Sequence, residues 1–150
     1  DGDIQENNAF VCSNTSNWKK GCNKHLIARK YKHNKYNSTE EDYDIGLVRV
    51  KVPFNGKFEK PIKWAGSNFK YPDNAQVTVL GWGYTHPNEE KLSDVLRYVN
   101  VQSMNYNTCK KRYKERSSIV TSRMMCAMDI DKDACRFDSG GPLVLNRILI

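Results

Sequence analysis

The fold is constrained first by one recurring pattern: short runs of β-branched and aromatic residues, each cut off by Gly, Pro or Asn. Asp44-Ile45-Gly46-Leu47-Val48-Arg49-Val50 stops before Pro53, and Gln76-Val77-Thr78-Val79-Leu80-Gly81-Trp82 stops at Gly83. Val95-Leu96-Arg97-Tyr98-Val99-Asn100-Val101 alternates, which puts Val95, Arg97, Val99 and Val101 on one face. Residues 26–31 read as a further strand, and 142–145 with 148–150 as a hairpin around Asn146-Arg147. Residues 107–116 alone read as a short helix, with Asn105 or Asn107 as its cap. Loops rich in Gly, Pro and Asn fall at 54–57, 65–74 and 85–90. Many short strands separated by turns predict an all-β barrel or sandwich.

A chain of 150 residues can bury one ordinary core, and 39% hydrophobic with 11% aromatic residues argues against disorder. No apolar run approaches the ~18 residues of a membrane helix, so no membrane partner is expected. The opening residues are polar and acidic, unlike a secretory leader. The formal charge of +7 is concentrated. Lys19, Lys20, Lys24, Arg29, Lys30, Lys32 and Lys35 lie between Glu6 and Glu40 with no acid among them. A second group is Lys110, Lys111, Arg112, Lys114 and Arg116, interrupted by Glu115. Either group can attract a polyanion or an acidic protein surface, or form a solvated face. Aromatic residues are not arranged as stacking platforms, so nucleic acid is not expected.

Five cysteines and two glycosylation triplets, at Asn14 and Asn37, favour a secreted, extracellular protein with disulfides. The odd count leaves one thiol free, bridged to another chain, or paired outside these residues. None of the cysteines has zinc-ligand spacing, and neither metal nor cofactor is expected.

Cys135-Arg136-Phe137-Asp138-Ser139-Gly140-Gly141-Pro142 carries the chemistry. A serine before two glycines can sit on a tight turn, its hydroxyl exposed and backbone N–H groups beside it. Nucleophilic attack on a carbonyl needs that arrangement.

The run from Asp138 to Pro142 resembles the nucleophile motif of trypsin/chymotrypsin-type (S1) serine proteases. Asp42-Tyr43-Asp44-Ile45-Gly46-Leu47-Val48 resembles that family's segment with the histidine-orienting aspartate, and His33-Asn34-Lys35-Tyr36 the H-P-x-Y before it. Gly81-Trp82-Gly83 resembles the family's G-W-G, and Cys109 with Cys126 matches one of its disulfides. The motifs follow in the family's order over nearly the whole chain. The resemblance implies a double six-stranded antiparallel β-barrel, incomplete here. Residues 1–150 would be a single protease domain lacking its N-terminal and C-terminal parts. The segment with the catalytic histidine would precede Asp1, and Cys135 would pair beyond Ile150.

On this resemblance Ser139 is the nucleophile, and Asp44 holds the histidine's tautomer and stabilises its imidazolium. His25, His33 and His86 do not fit the base role. Phe137 and Ser139 would supply the N–H groups of the oxyanion hole. Asp133, six residues before Ser139, would form the floor of a substrate pocket flanked by Ala134 and Arg136, selecting Arg or Lys by charge-assisted pairing. The alternative is a surface aspartate in an acidic loop with Asp129 and Asp131. Asp138 would bind the amino terminus freed by zymogen cleavage.

Phe137 departs from the family's glycine. A phenylalanine at φ > 0 carries ~1–3 kcal/mol of strain. Turning its N–H away instead would lose ~10²–10³ in rate. A non-glycine here resembles arthropod venom, salivary and haemolymph trypsin-like proteases, as do Ala134 and Leu92-Ser93-Asp94-Val95-Leu96-Arg97. Inactivated homologues also occur there, including a mite group similar to trypsin-like allergens. Cys12 and Cys22 are not standard family positions. They flank a loop aligned with the family's calcium loop, but that loop has no carboxylate, so calcium is not expected. A local Cys12–Cys22 disulfide can brace it; with Lys19 and Lys20 it can also be a basic exosite.

The expectation is a secreted endopeptidase that cleaves protein or peptide substrates after Arg or Lys, with a serpin-type inhibitor as a further partner. The alternative is a pseudoprotease that binds host or haemolymph proteins through its cleft or basic loops. A polyanion-binding module on the same fold is a third reading.

Overall fold

The computed structural model describes residues 9–86, 88, 90–130 and 132–150. The acidic residues 1–8 and Asp131, and part of the 85–90 loop, therefore lie outside the described residues. The chain divides into two compact units, one ending at Pro61 and one running from Ile62 to Ile150.

The first unit is a three-stranded antiparallel sheet, β1 (Phe10–Ser13), β2 (Asn23–Lys32) and β3 (Gly46–Val50), in the order β1-β2-β3. The β1–β2 loop is closed by the Cys12–Cys22 disulfide, with Cα atoms 5.5 Å apart. β2 runs longer than its apolar pattern predicts because β1 pairs with its first half and β3 with its second. A bulge at Ala28 separates two registers, Ile27↔Val50 and Arg29↔Arg49. The extra residue reverses which side chains face inward. His25 is buried and Ile27 half-buried on one face, whereas Leu26 and Arg29 are exposed on the other.

Inside this unit a carboxylate meets an imidazole. The Glu59 side chain is 2% exposed, and its Oε1 lies 3.1 Å from His25 Nε2. It also accepts from the Ser13 hydroxyl and from Asn23 Nδ2 at 3.0 Å. Its Oε2 accepts from the Asn55 N–H at 2.8 Å and from the Gly56 N–H. These donors, the Ser13 hydroxyl foremost, hold Glu59 far below the usual carboxylate range. The Glu59 hydrogen bond in turn raises His25 above its ordinary value.

The second unit is a six-stranded sheet in the order β4-β9-β8-β5-β6-β7. Its strands are β4 (Lys63–Trp64), β5 (Gln76–Gly81), β6 (Arg97–Met104), β7 (Cys126–Met128), β8 (Leu143–Leu145) and β9 (Ile148–Leu149). β4 pairs with β9 in parallel, a departure from the wholly antiparallel expectation. β5 and β6 form the centre, and their inward residues Val77 and Val101 join Leu145 of β8 as the core. Full burial of such a side chain stabilises by about 1.5–3 kcal/mol. The β8–β9 hairpin turns on Asn146 and Arg147, both at positive φ (48° and 64°), as a primed two-residue turn requires.

The helix α1 (Tyr106–Lys114) is capped by Asn105, not Asn107: Asn105 Oδ1 accepts from the N–H groups of Asn107 and Thr108. It ends two residues earlier than its composition predicts. Ser117, at φ 58°, takes the chain out of the helical region just beyond it. Buried Cys109 on α1 is bonded to Cys126 on β7, Cα to Cα 6.0 Å.

Candidate active site

Two consecutive turns present Ser139. In the first, the Asp138 N–H donates to the Cys135 carbonyl at 3.1 Å, with Phe137 at the third position and φ 71°. In the second, the Gly141 N–H donates to the Asp138 carbonyl at 2.8 Å, with Ser139 second and Gly140 third at φ 82°. A positive φ at the third position marks a type II turn, where glycine is the natural occupant. Gly140 meets that demand and Phe137 meets it under strain. Ser139 is exposed, and neither its N–H nor that of Phe137 is spent on another group of the described residues. Phe137 is 66% exposed, and its ring lies 4.9 Å from that of Tyr84 between centroids.

Asp138 fixes the turns to the sheet. Its Oδ1 accepts from the Gly83 N–H at 2.8 Å and its Oδ2 from the Cys135 N–H at 3.0 Å. The Tyr84 N–H donates to the Arg136 carbonyl at 3.0 Å. This seat exists because Gly81 and Gly83 lack side chains. A Cβ on Gly81 would fall 1.9 Å from Asp138 Oδ1, and one on Gly83 would fall 2.6 Å from the Arg136 carbonyl. The Gly81-Trp82-Gly83 motif was visible in the sequence, but its spatial partner, a carboxylate 55 residues later, was not.

Asp133 is exposed, and its Oδ1 accepts from the Ala134 N–H at 2.7 Å. Asp133 and Asp138 both line an open cleft of about 250 Å³ that includes Gly83, Tyr84 and Tyr98. Neighbouring Lys132 pairs with Asp129 at 3.4 Å. The Ile130 N–H, with Lys132, draws the Asp129 carboxyl below its ordinary value. Ala134 and Arg136 are exposed, and Cys135 is half-buried and bonded to no cysteine among the described residues.

Asp44 belongs to the other unit. It is the central residue of a three-residue turn closed by the Ile45 N–H on the Tyr43 carbonyl at 2.8 Å. Its exposed carboxylate accepts from no donor among the described residues. His33 stacks on Tyr43 at 4.8 Å and accepts the Lys35 N–H, while His86 is exposed. Asn14 and Asn37 are both exposed. Asn37 Oδ1 accepts from the Thr39 N–H at 2.9 Å, so its triplet forms a self-capped turn. Sequence reasoning missed Tyr84 and Glu59 entirely, because nothing local distinguishes a tyrosine or glutamate in a loop.

Residues 5–150 match the family model described as Trypsin. Trypsin CFT-1 of Choristoneura fumiferana is 34% identical over 122 residues, covering 79% of this chain and 47% of that protein. Alkaline trypsin B of Manduca sexta is 35% identical over 131 residues, 84% of this chain and 50% of that one. The chain thus spans about half the length of the curated relatives it matches. The structure of mouse neuropsin, a serine protease, superposes with a TM-score of 0.83 at 25% identity, covering 93% of this chain and 63% of neuropsin.

Proposed function

This chain belongs to the trypsin family, and from that premise we propose that the whole protein is a secreted serine endopeptidase cleaving after Arg or Lys. The observation that carries the reading is the double turn at residues 135–141: an exposed Ser139 hydroxyl with two unspent N–H groups, on Phe137 and Ser139, beside it. A carbonyl held there would be attacked by the Ser139 oxygen while its own oxygen became charged in front of those donors. The proton would pass to a histidine, oriented by Asp44, that protonates the leaving amine; water then releases the acyl group. His25 is committed to Glu59, His33 to Tyr43 and Lys35, and exposed His86 stands on the loop after Gly81-Trp82-Gly83, so the base of this proposal is a histidine other than these three.

Arg or Lys preference rests on Asp133, a residue lining the same cleft as Asp138. Asp138 is the proposed acceptor of a freed amino terminus, and residues 1–150 are taken as one protease domain. A serpin-type inhibitor would engage the same cleft. Glycans on Asn14 and Asn37 fit their exposure.

A second reading is favoured by Phe137, a strained residue where glycine belongs: the same fold without turnover, acting by binding. The solved structure of a scabies mite inactivated protease paralogue shares the fold, with a TM-score of 0.83 at 19% identity, covering 91% of this chain and 60% of that one. Fluorophosphonate labelling of the whole, activated protein separates the readings. Peptide mapping that places the label on Ser139 supports the endopeptidase. Absence of label on folded, activated protein refutes it and leaves the binding role.

A further inference from the structure

The peptide bond between Arg136 and Phe137 has two available orientations. A type II turn carries a positive φ at its third residue, and turning its central peptide over by about 180° gives a type I turn with a negative one. Phe137, at φ 71°, stands in the strained orientation. The bond that closes the turn does not oppose the flip, because the Asp138 N–H reaches the Cys135 carbonyl in either turn type. The Asp138 carboxylate does not oppose it either: its bonds to the Gly83 and Cys135 N–H groups include no atom of that peptide.

Tyr84 does oppose it. Its N–H donates to the Arg136 carbonyl at 3.0 Å, and its ring lies 4.9 Å from the Phe137 ring. Across a planar trans peptide the C=O and the N–H point in opposite directions. A carbonyl held by Tyr84 therefore turns the Phe137 N–H to the other side of the turn, where no described residue consumes it. Turning the peptide over would withdraw the carbonyl and bring the Phe137 N–H round to face the Tyr84 N–H, two donors with no acceptor between them. The ring contact holds the Tyr84 segment against the turn and keeps its N–H within reach. Tyr84 is itself fixed: it bridges to Leu92, and the Ser93 N–H donates to the Trp82 and Gly83 carbonyls at 3.1 and 3.3 Å. None of these contacts depends on an uncovered surface.

We propose that Tyr84 is a positioning residue for the reaction at Ser139: its N–H and its ring together keep the Arg136–Phe137 peptide turned so that the Phe137 N–H faces a developing oxyanion. This rests on the endopeptidase reading above. With glycine at 137 the left-handed conformation carries no steric penalty, and the turn needs no such hold. With phenylalanine the relaxed orientation is the flipped one, so the hold has to come from a neighbour. Tyr84 acts through Phe137 and touches no reacting atom. A donor that counts only once the substrate oxygen is charged moves kcat and leaves KM where it was.

The test uses the whole, activated protein with a small arginyl amide substrate, and a sample labelled with nitrogen-15 phenylalanine for NMR. In the type II turn the Arg136 Hα lies close to the Phe137 N–H and gives a strong NOE; in the flipped turn it lies far and the NOE is weak. Tyr84→Pro removes both the N–H and the ring. It lowers kcat by about tenfold or more, toward the 10²–10³ of a lost donor, with KM unchanged, and it weakens the NOE. Tyr84→Phe keeps both contacts and retains the parent values. In a Phe137→Gly background Tyr84→Pro costs less than about threefold, because glycine favours the type II turn unaided. Should Tyr84→Pro fail to fold, Tyr84→Ala carries the same comparison: losing the ring alone lowers kcat by about threefold or more, and glycine at 137 abolishes the effect. The proposal is overturned if the NOE stays strong in the folded Tyr84 variant, if the loss appears in KM alone, or if kcat falls equally with glycine at 137, which would mean a merely structural role. A strong NOE in the parent, weakened in the variant, with no turnover by either, refutes the endopeptidase reading while upholding the hold of Tyr84 on the peptide.

Discussion

Phe137 at φ 71° makes a prediction whose sign is the reverse of ordinary experience. At most positions alanine is more stable than glycine, by about 0.4–1 kcal/mol, because glycine has more freedom to lose on folding. In the left-handed region the Cβ clashes with the backbone, which costs about 1–2 kcal/mol. Subtracting the first effect from the second leaves Phe137→Gly more stable than Phe137→Ala by about 0.5–1 kcal/mol. Both variants lose the ring pair with Tyr84, worth about 0.5–1.5 kcal/mol. Phe137→Ala should therefore fall below the parent protein by that amount, while Phe137→Gly stays close to it. Urea unfolding of the whole protein, followed by the fluorescence of Trp18, Trp64 and Trp82, resolves such differences as shifts in midpoint. Alanine more stable than glycine would show that residue 137 is not held left-handed, and the double-turn description of the site would fail with it. The strain also bears on rate. A left-handed Phe137 keeps its N–H in the orientation glycine would give it. Phe137→Gly should then change kcat on a small amide substrate by less than about tenfold, far short of the 10²–10³ carried by an oxyanion donor.

Further outcomes follow from other parts of the structure. Gly83→Ala drives a Cβ against the Arg136 carbonyl and Asp138 Oδ1, and an overpacked site of this kind loses about 1–3 kcal/mol; an unchanged thermal midpoint would contradict the Asp138 seat. Leu145→Ala empties part of the second unit's core and should lower stability by about 2–5 kcal/mol in the same unfolding assay. Asn105→Ala removes the α1 cap and should cost about 0.5–2 kcal/mol, with Asn105→Ser, which keeps a capping oxygen, costing less; Asn105→Asp is not an equivalent control, because it would exchange the 2.9 Å Nδ2 donation to Asp73 for a like-charge contact. The His25–Glu59 pair gives a pH dependence. His25 is raised from its ordinary 6.5, so its contribution is complete below 6.5 and is lost as pH rises through the raised value. Glu59 is lowered from its ordinary 4.5, so its contribution is complete above 4.5 and lost only as pH falls far below it. Both act together between pH 4.5 and 6.5. An NMR titration of the His25 ring with a midpoint at or below 6.5 would contradict the pairing.

What the sequence made legible depended on how far apart the interacting residues lie. β3, β5, β6 and the β8–β9 hairpin could be read because their own alternation and turn residues specify them. β1, β4 and β7 could not: segments of four, two and three residues carry no period, and each exists because a longer neighbour supplies its hydrogen bonds. The same division runs through the site. Ser139 and Gly140 form a local turn, so their spacing announced it. Asp138 is different, because its partner Gly83 becomes its neighbour only once β5 has been placed in the sheet. The glycines at 81 and 83 are empty for the sake of a carboxylate that no window around them contains. Charge adds a third case. Composition located the basic stretch but could not say which cations share a face, because one extra residue at Ala28 moves Arg29 from the inner side to the outer. A bulge leaves almost no compositional trace, yet here it determines whether two arginines confront each other. Sequence therefore specified the nucleophile turn more fully than its support, and the amount of charge more fully than its direction.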